Sequence, residues 1–422
     1  MKKVILGILT VFTCLMFAGC KKGPEYENLD PNHGIANQES LYGTCYQLNV
    51  RLQDDDYDPE IDAILMKNLG VKSMRFWLHS SMFLASPSKI SSDYCQKAHK
   101  AISEFQKVGI EIIAVNHTNF NTGVGNGTKP ARDLTDGSYY IKWLEDFELT
   151  YYTLANEFKE IKYWEIENET NGDFCNDMNG NNTYSYEMKA AITVDMLYYA
   201  SCGIHRANSE ALTVIGGPVG LTNGRIKSFY ELIYQNIKSK EFGYHYGSEN
   251  KKNASTNPDD YFQIACWHPY CEQTAFYKKV FKKYNDEIYQ VILDNEGKHK
   301  KVIFSEIGWT NKYCTEEIAA KYLTSMFEVV KEEMPYVEFV TYFYLFDYGD
   351  AKTYWTGEVS RYGLFYDPVE SRKYNNGITQ DYVENGAPKL QGYAFQKAAG
   401  GEGEINIKKI TKWLKIKDEH VQ

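Results

Sequence analysis

Beyond its first twenty residues this chain holds no run long and apolar enough to cross a bilayer. A formal charge of −10 over 422 residues argues against nucleic acid as a partner. No two cysteines stand at Cys-x-x-Cys spacing and no two histidines at His-x-His spacing, so a zinc centre has no starting point. The Asp-x-Asp-x-Asp-Gly pattern of a calcium loop is absent too, although Asp177 and the Asn181-Asn182 pair lie in a polar stretch. No internal repeat is visible. No metal or cofactor is implied.

Nine cysteines are present, two of them (Cys14 and Cys20) in the leader. The remaining seven are odd in number and scattered, which does not fit a disulfide scaffold. Most read as small buried apolar residues, with room for one or two bridges. Tyrosine, by contrast, is abundant at 35 residues. Its apolar face and polar tip suit pockets that stack a ring and hydrogen-bond its hydroxyls.

Residues 1–20 read as a leader rather than part of the fold. Lys2 and Lys3 precede an apolar stretch, 4–17, too short to span a bilayer comfortably. Phe17-Ala18-Gly19-Cys20 resembles a bacterial lipoprotein processing site. That resemblance implies export, with a lipidated Cys20 as first residue of the mature chain and the lipid as its only hold on the membrane. The outer membrane is the expected site, the chain facing periplasm or surface. Residues 21–42, with Pro24, Pro31, Gly23 and Gly34, read as a tether. Losing Lys2 and Lys3 with the leader moves the formal charge from −10 to −12.

From residue 43 short apolar runs alternate with longer amphipathic segments. The runs are 44–50, 73–78, 110–116, 161–168, 212–217, 262–268, 302–306 and 339–346. Helical patterns lie between them at 58–69, 93–108, 138–159, 184–207, 225–239, 273–293 and 315–333. Gly70 and Gly109 follow the first two helices, where a left-handed stop is expected. Eight strands separated by seven helices is the count of a (β/α)8 barrel, an α/β fold, over a single domain at 43–400. The competing doubly wound sheet usually has fewer strands and a Gly-rich turn after the first. Here Arg51-Leu52-Gln53-Asp54-Asp55-Asp56 follows instead.

Two insertions, 117–138 and 171–183, follow the third and fourth strands on the face where a barrel places its ligand site. After the eighth strand, Pro388-Lys389-Leu390 opens a last helix that closes the ring. Residues 401–422 read as a frayed basic tail with an amphipathic turn around Trp413.

The chemistry concentrates at two strand ends. Trp164-Glu165-Ile166-Glu167-Asn168-Glu169 and Phe304-Ser305-Glu306 each deliver a carboxylate at the C-terminal end of an apolar run. Strand alternation puts Glu165, Glu167 and Glu169 on one side. Three carboxylates facing a plain core would be very costly. Two carboxyl groups facing each other across a pocket can cleave a glycosidic bond: one protonates the leaving oxygen, the other attacks the anomeric carbon or activates water.

Asn168-Glu169 on strand four and Glu306 on strand seven resemble glycoside hydrolase clan A, and 164–169 looks most like families 39 and 5. Thr170 stands where the clan usually has proline, and Glu167 where an aromatic often precedes the asparagine. The resemblance implies that Glu169 is the acid/base and Glu306 the nucleophile of a retaining hydrolase of β-linked poly- or oligosaccharides. It implies further that Arg75 hydrogen-bonds the nucleophile, that Tyr270 of Trp267-His268-Pro269-Tyr270 orients it, and that His268 faces substrate. Asn168 would bind the sugar 2-hydroxyl. Asn116 and His117 would contact the sugar being cleaved, and Trp309 and Trp355 are candidates for sugar stacking or, equally, for packing at the rim. Two other readings stay open. One is an inactive barrel that serves as a surface glycan-binding lipoprotein. The other is a metal-dependent barrel hydrolase using His79, His117, His205 or His268.

Overall fold

A computed structural model describes residues 36, 38–116, 128–179, 181, 183–239, 255–347, 361–368 and 385–419. Eight parallel strands form one sheet: β1 (Tyr42–Tyr46), β2 (Ser73–Trp77), β3 (Glu111–Asn116), β4 (Tyr163–Ile166), β5 (Leu212–Ile215), β6 (Ala265–Trp267), β7 (Val302–Ile307) and β8 (Val337–Tyr342). Their spatial order is β5-β4-β3-β2-β1-β8-β7-β6. The ring closes between β5 and β6 through bridges at Val214–Ile264 and Val219–His268. This is the (β/α)8 barrel. Its strands are buried along nearly their whole length, as helices on one side and a filled interior on the other require.

The outer helices are α1 (Pro59–Leu69), α2 (Ser92–Lys107), α3 (Tyr139–Glu157), α4 (Tyr186–Ala207), α5 (Arg225–Lys238), α6 (Lys278–Glu296), α7 (Glu316–Glu333), α8 (Leu390–Ala399) and α9 (Ile407–Glu419). Several start on side-chain caps. Asp58 accepts from the Glu60 N–H with Pro59 at the first helical position, and Ser138, Ser185 and Thr315 each accept from the N–H three residues on. α1 stops at Gly70, whose φ of +82° only glycine adopts freely. α8 packs on α7 and α1, filling the ring between the last and first strands.

Two features differ from the sequence expectation. A short hairpin, Leu84–Ser86 with Lys89–Ile90, lies between β2 and α2. The C-terminal tail is a helix, α9, that packs on α1 and buries Ile410 and Leu414. Trp413, half-exposed, is one turn of that helix rather than an isolated one. The seven cysteines of the described residues are all unbridged, and five are buried. No described helix is long and apolar enough to cross a membrane.

The two insertions are tied to each other. The Lys129 N–H donates to the Asn176 carbonyl, and the Tyr184 hydroxyl donates to the Lys129 carbonyl. Asp177 is spent locally, accepting from the Asn179 and Asn181 N–H groups and the Thr183 hydroxyl.

Candidate active site

β2 supplies Arg75, nearly fully buried at the C-terminal end of the barrel. Its guanidinium is a three-way clamp. Nε and Nη2 donate to Glu165 at 2.5 and 3.0 Å, Nη1 donates to Glu306 at 2.6 Å, and Nη2 also donates to Asn168 Oδ1 at 2.8 Å. The fork geometry of arginine makes this possible; a lysine would offer a point charge. The Trp77 ring lies 4.8 Å from its guanidinium carbon.

β4 ends at Ile166, and the alternation expected of the three glutamates ends with it. Glu167 and Glu169 sit at φ +66° and +43°, left-handed conformations that cost of order 1–3 kcal/mol each outside glycine. The three acids therefore part. Glu165 faces Arg75. Glu167 pairs with Lys129 Nζ at 2.9 Å in a fully buried contact. Glu169 turns toward His268, whose Nδ1 lies 2.8 Å from its Oε1. The strained turn is held by the Glu169 N–H donating to Gly217, the Gly172 N–H donating to Glu169, and the Asn171 amide bridging to Val219.

β7 carries Glu306 beside Ser305. Between β7 and β8 the register shifts, three steps on β7 (Phe304 to Ile307) matching two on β8 (Val340 to Tyr342). This bulge lets two consecutive residues reach one site. Glu306 Oε2 accepts from the Tyr270 hydroxyl at 3.2 Å and lies 3.6 Å from His268 Nδ1. Ser305 Oγ donates to Glu165 Oε1 at 3.0 Å and lies 3.0 Å from His268 Nε2. Gly217 leaves the space for that ring: a Cβ there would stand 2.5 Å from His268 Cδ2 and Nε2.

The charges shape one another. Burial pushes Glu165 upward, but Arg75, His268 and the Gly217 N–H outweigh it and hold the carboxyl below its usual range. Burial pushes Glu306 above that range. His268 and Arg75 pull it down, while Glu169 and Glu165 add to the rise. Burial alone would discharge His268; Glu306 and Glu169 reverse this and raise it above an ordinary histidine.

Glu169, His268 and Glu306 each bring a ligand-type atom within 4.8 Å of the others, the composition of a metal set. The donors are otherwise committed. His268 Nδ1 and Glu169 Oε1 are at hydrogen-bond distance from each other, and Arg75 already supplies the cation at Glu306. The arrangement fits acid/base chemistry between two carboxylates.

Six of the candidate residues read from the sequence thus meet in one place: Arg75, Asn168, Glu169, His268, Tyr270 and Glu306. Asn116, at the end of β3, is buried and its Oδ1 accepts from the Ser80 N–H. Trp309 is placed in the core rather than on a cleft wall, fully buried against Phe276 and Tyr322, which corrects the stacking role expected of it. His117, Trp355 and Cys20 lie outside the described residues. Sequence reasoning missed Ser305 and Lys129, and assigned Glu165 no role of its own. It also missed the aromatic group of Phe343 and Tyr362 around Tyr270. A serine directly before a strand-end glutamate was the only signal for Ser305, and plain alternation would have turned it away.

No protein-family model matches this chain, and no curated protein sequence matches it. Solved structures do resemble it. A family 39 glycoside hydrolase from the gut symbiont Bacteroides cellulosilyticus WH2 superposes with a TM-score of 0.56 at 15% identity, over 88% of this chain and 65% of that one. This chain therefore spans less than two thirds of that hydrolase. A β-glucosidase from Thermotoga maritima gives 0.55 at 12% identity, over 87% and 98% of the two chains. Xylanase 10B from Thermotoga petrophila RKU-1 gives 0.52 at 13%, over 89% and 97%. At such identities the likeness shows the barrel and nothing finer.

Proposed function

We propose that this chain is a retaining glycoside hydrolase that cleaves β-linked poly- or oligosaccharides by double displacement between two glutamates. One observation carries the reading: carboxylate oxygens of Glu169 and Glu306 lie within 4.8 Å of each other across the C-terminal mouth of the barrel. Retaining enzymes hold their carboxyl groups about 5–5.5 Å apart, whereas inverting ones need roughly 6.5–9.5 Å to seat a water.

In the first step Glu306 attacks the anomeric carbon and Glu169 gives its proton to the departing glycosidic oxygen. A glycosyl ester on Glu306 results. In the second step Glu169 takes a proton from water, whose oxygen attacks the same carbon and releases Glu306 as carboxylate. Two inversions give net retention. Arg75 and Tyr270 donate to Glu306 and favour its ionised form before attack. Arg75 occupies the carbonyl oxygen of Asn168, which leaves the amide N–H groups to donate to a sugar hydroxyl. The β preference rests on the resemblance of the strand-end motifs to clan A.

The leader and Cys20 support an exported protein held to a bacterial membrane by lipid. Replacing Cys20 by Ser would release it from the membrane fraction. The catalytic reading is tested by screening β-linked polysaccharides and aryl β-glycosides for sugar release. Release that persists in both Glu169→Ala and Glu306→Ala, or no release by the wild type, contradicts it.

A further inference from the structure

The hydrogen bonds around Ser305 fix where the protons of His268 lie. Ser305 is fully buried, and its Oγ has three neighbours: Glu165 Oε1 and His268 Nε2, each at 3.0 Å, and Cys266 Sγ at 2.9 Å. A serine hydroxyl has one proton to give and two lone pairs to offer. Glu165 is clamped by Arg75 through two nitrogens and is an acceptor only. The single Ser305 proton is therefore spent on Glu165. Toward Cys266 and His268, Ser305 can only accept. His268 Nε2 must then carry hydrogen, whatever the charge of the ring. The one variable proton of the imidazole is at Nδ1, which faces Glu169 Oε1 at 2.8 Å.

We propose that Ser305 is a positioning residue: by accepting from His268 Nε2–H it holds the ring with Nδ1 toward Glu169 and so governs the protonation of the acid/base. This rests on Glu169 having that role in the reading above. Around the imidazole stand Arg75 from β2, Glu165 and Glu169 from the β4 end, Cys266 and Tyr270 from the β6 segment, and Glu306 from β7. Among the described residues, the hydrogen-bond partner of Nε2 is Ser305 Oγ; Glu165 Oε1 is 4.0 Å away. Without the hydroxyl, the Nε2–H loses its acceptor, and the ring can place its hydrogen on Nδ1 instead. In the neutral Nε2–H ring the protonated Glu169 donates to Nδ1; with hydrogen on Nδ1 that bond reverses and Glu169 accepts.

The test uses the full chain and two aryl β-glycosides of a sugar the wild type accepts. One carries a phenyl leaving group, which needs the acid; the other carries 2,4-dinitrophenyl, which does not. Ser305→Ala is expected to lower kcat/KM on the phenyl glycoside by about tenfold or more, toward the range of lost acid catalysis. It should change kcat/KM on the dinitrophenyl glycoside less than threefold, and shift the alkaline limb of the phenyl profile. Equal losses on both substrates, or no loss on either, would overturn the proposal while leaving the hydrolase reading standing. A second measurement needs no variant. Nitrogen-15 spectra of the wild-type chain should show His268 Nε2 protonated throughout a pH titration, with only Nδ1 changing. A neutral His268 with hydrogen on Nδ1 would overturn the proposal even if no substrate were ever found. A wild type inactive on every glycoside, with the expected spectra, would instead remove the hydrolase reading and with it the role assigned to Glu169.

Discussion

Arg75 Nη1 stands 2.6 Å from Glu306 Oε1, and both groups are buried. The same guanidinium holds Glu165 and Asn168, so the strand ends that carry Glu169 and Glu306, the proposed acid/base and nucleophile, are joined through one side chain. Removing the cation would leave two buried carboxylates facing each other. Arg75→Met is expected to destabilise the fold by about 3–5 kcal/mol, measurable by denaturant unfolding. Arg75→Lys should unfold less readily but still lose activity, because an ammonium cannot reach three partners in fixed directions.

The pH profile follows from Glu306. Its carboxyl is raised by burial and by Glu169 and Glu165, and attack requires the ionised form. Activity should therefore fail, as pH drops, at a value above the ordinary glutamate value of about 4.3. The limb is read from kcat/KM against pH, which reports the free enzyme. An acid limb at or below the ordinary value would contradict the electrostatic account.

Lys129 and Glu167 form a fully buried pair beside the strained turn that presents Glu169. Lys129→Met removes the buried cation that faces the Glu167 carboxylate, at an expected cost of about 3–5 kcal/mol. The double variant Lys129→Met with Glu167→Gln removes both charges and should regain a large part of that loss. A double-mutant cycle in denaturant measures the coupling.

Gly217 is needed for space, not for backbone freedom. A methyl group there would collide with the His268 ring, so Gly217→Ala must displace it. A shift of about 1 Å in a positioned group can cost on the order of a hundredfold in rate. Gly217→Ala should lower turnover by up to about that factor, with a stability cost of about 1–3 kcal/mol from overpacking.

The barrel was legible because its strands are buried on both faces and its helices are amphipathic, so run length and periodicity separate them. All eight runs became strands. The differences lie where local geometry overrides pattern. The fourth run was read through 168, but the backbone leaves the sheet after Ile166 with Glu167 at positive φ. Alternation then sent three glutamates to one side, whereas the turn distributes them among Arg75, Lys129 and His268. Ser305 escaped notice because the β7 bulge, which turns it inward beside Glu306, leaves no mark in the residue types. Trp309 read as a stacking ring from its place just past a strand end, yet it fills the space against Phe276 and Tyr322. The tail read as frayed because its apolar residues are few. Ile410 and Leu414, four residues apart, suffice to dock it on α1.

The central claim is that Glu169 and Glu306 act as a retaining pair. Proton NMR of the first sugar released from a β-glycoside, recorded before mutarotation, tests it most directly. The account predicts the β-anomer as first product; an α-anomer as first product would contradict it.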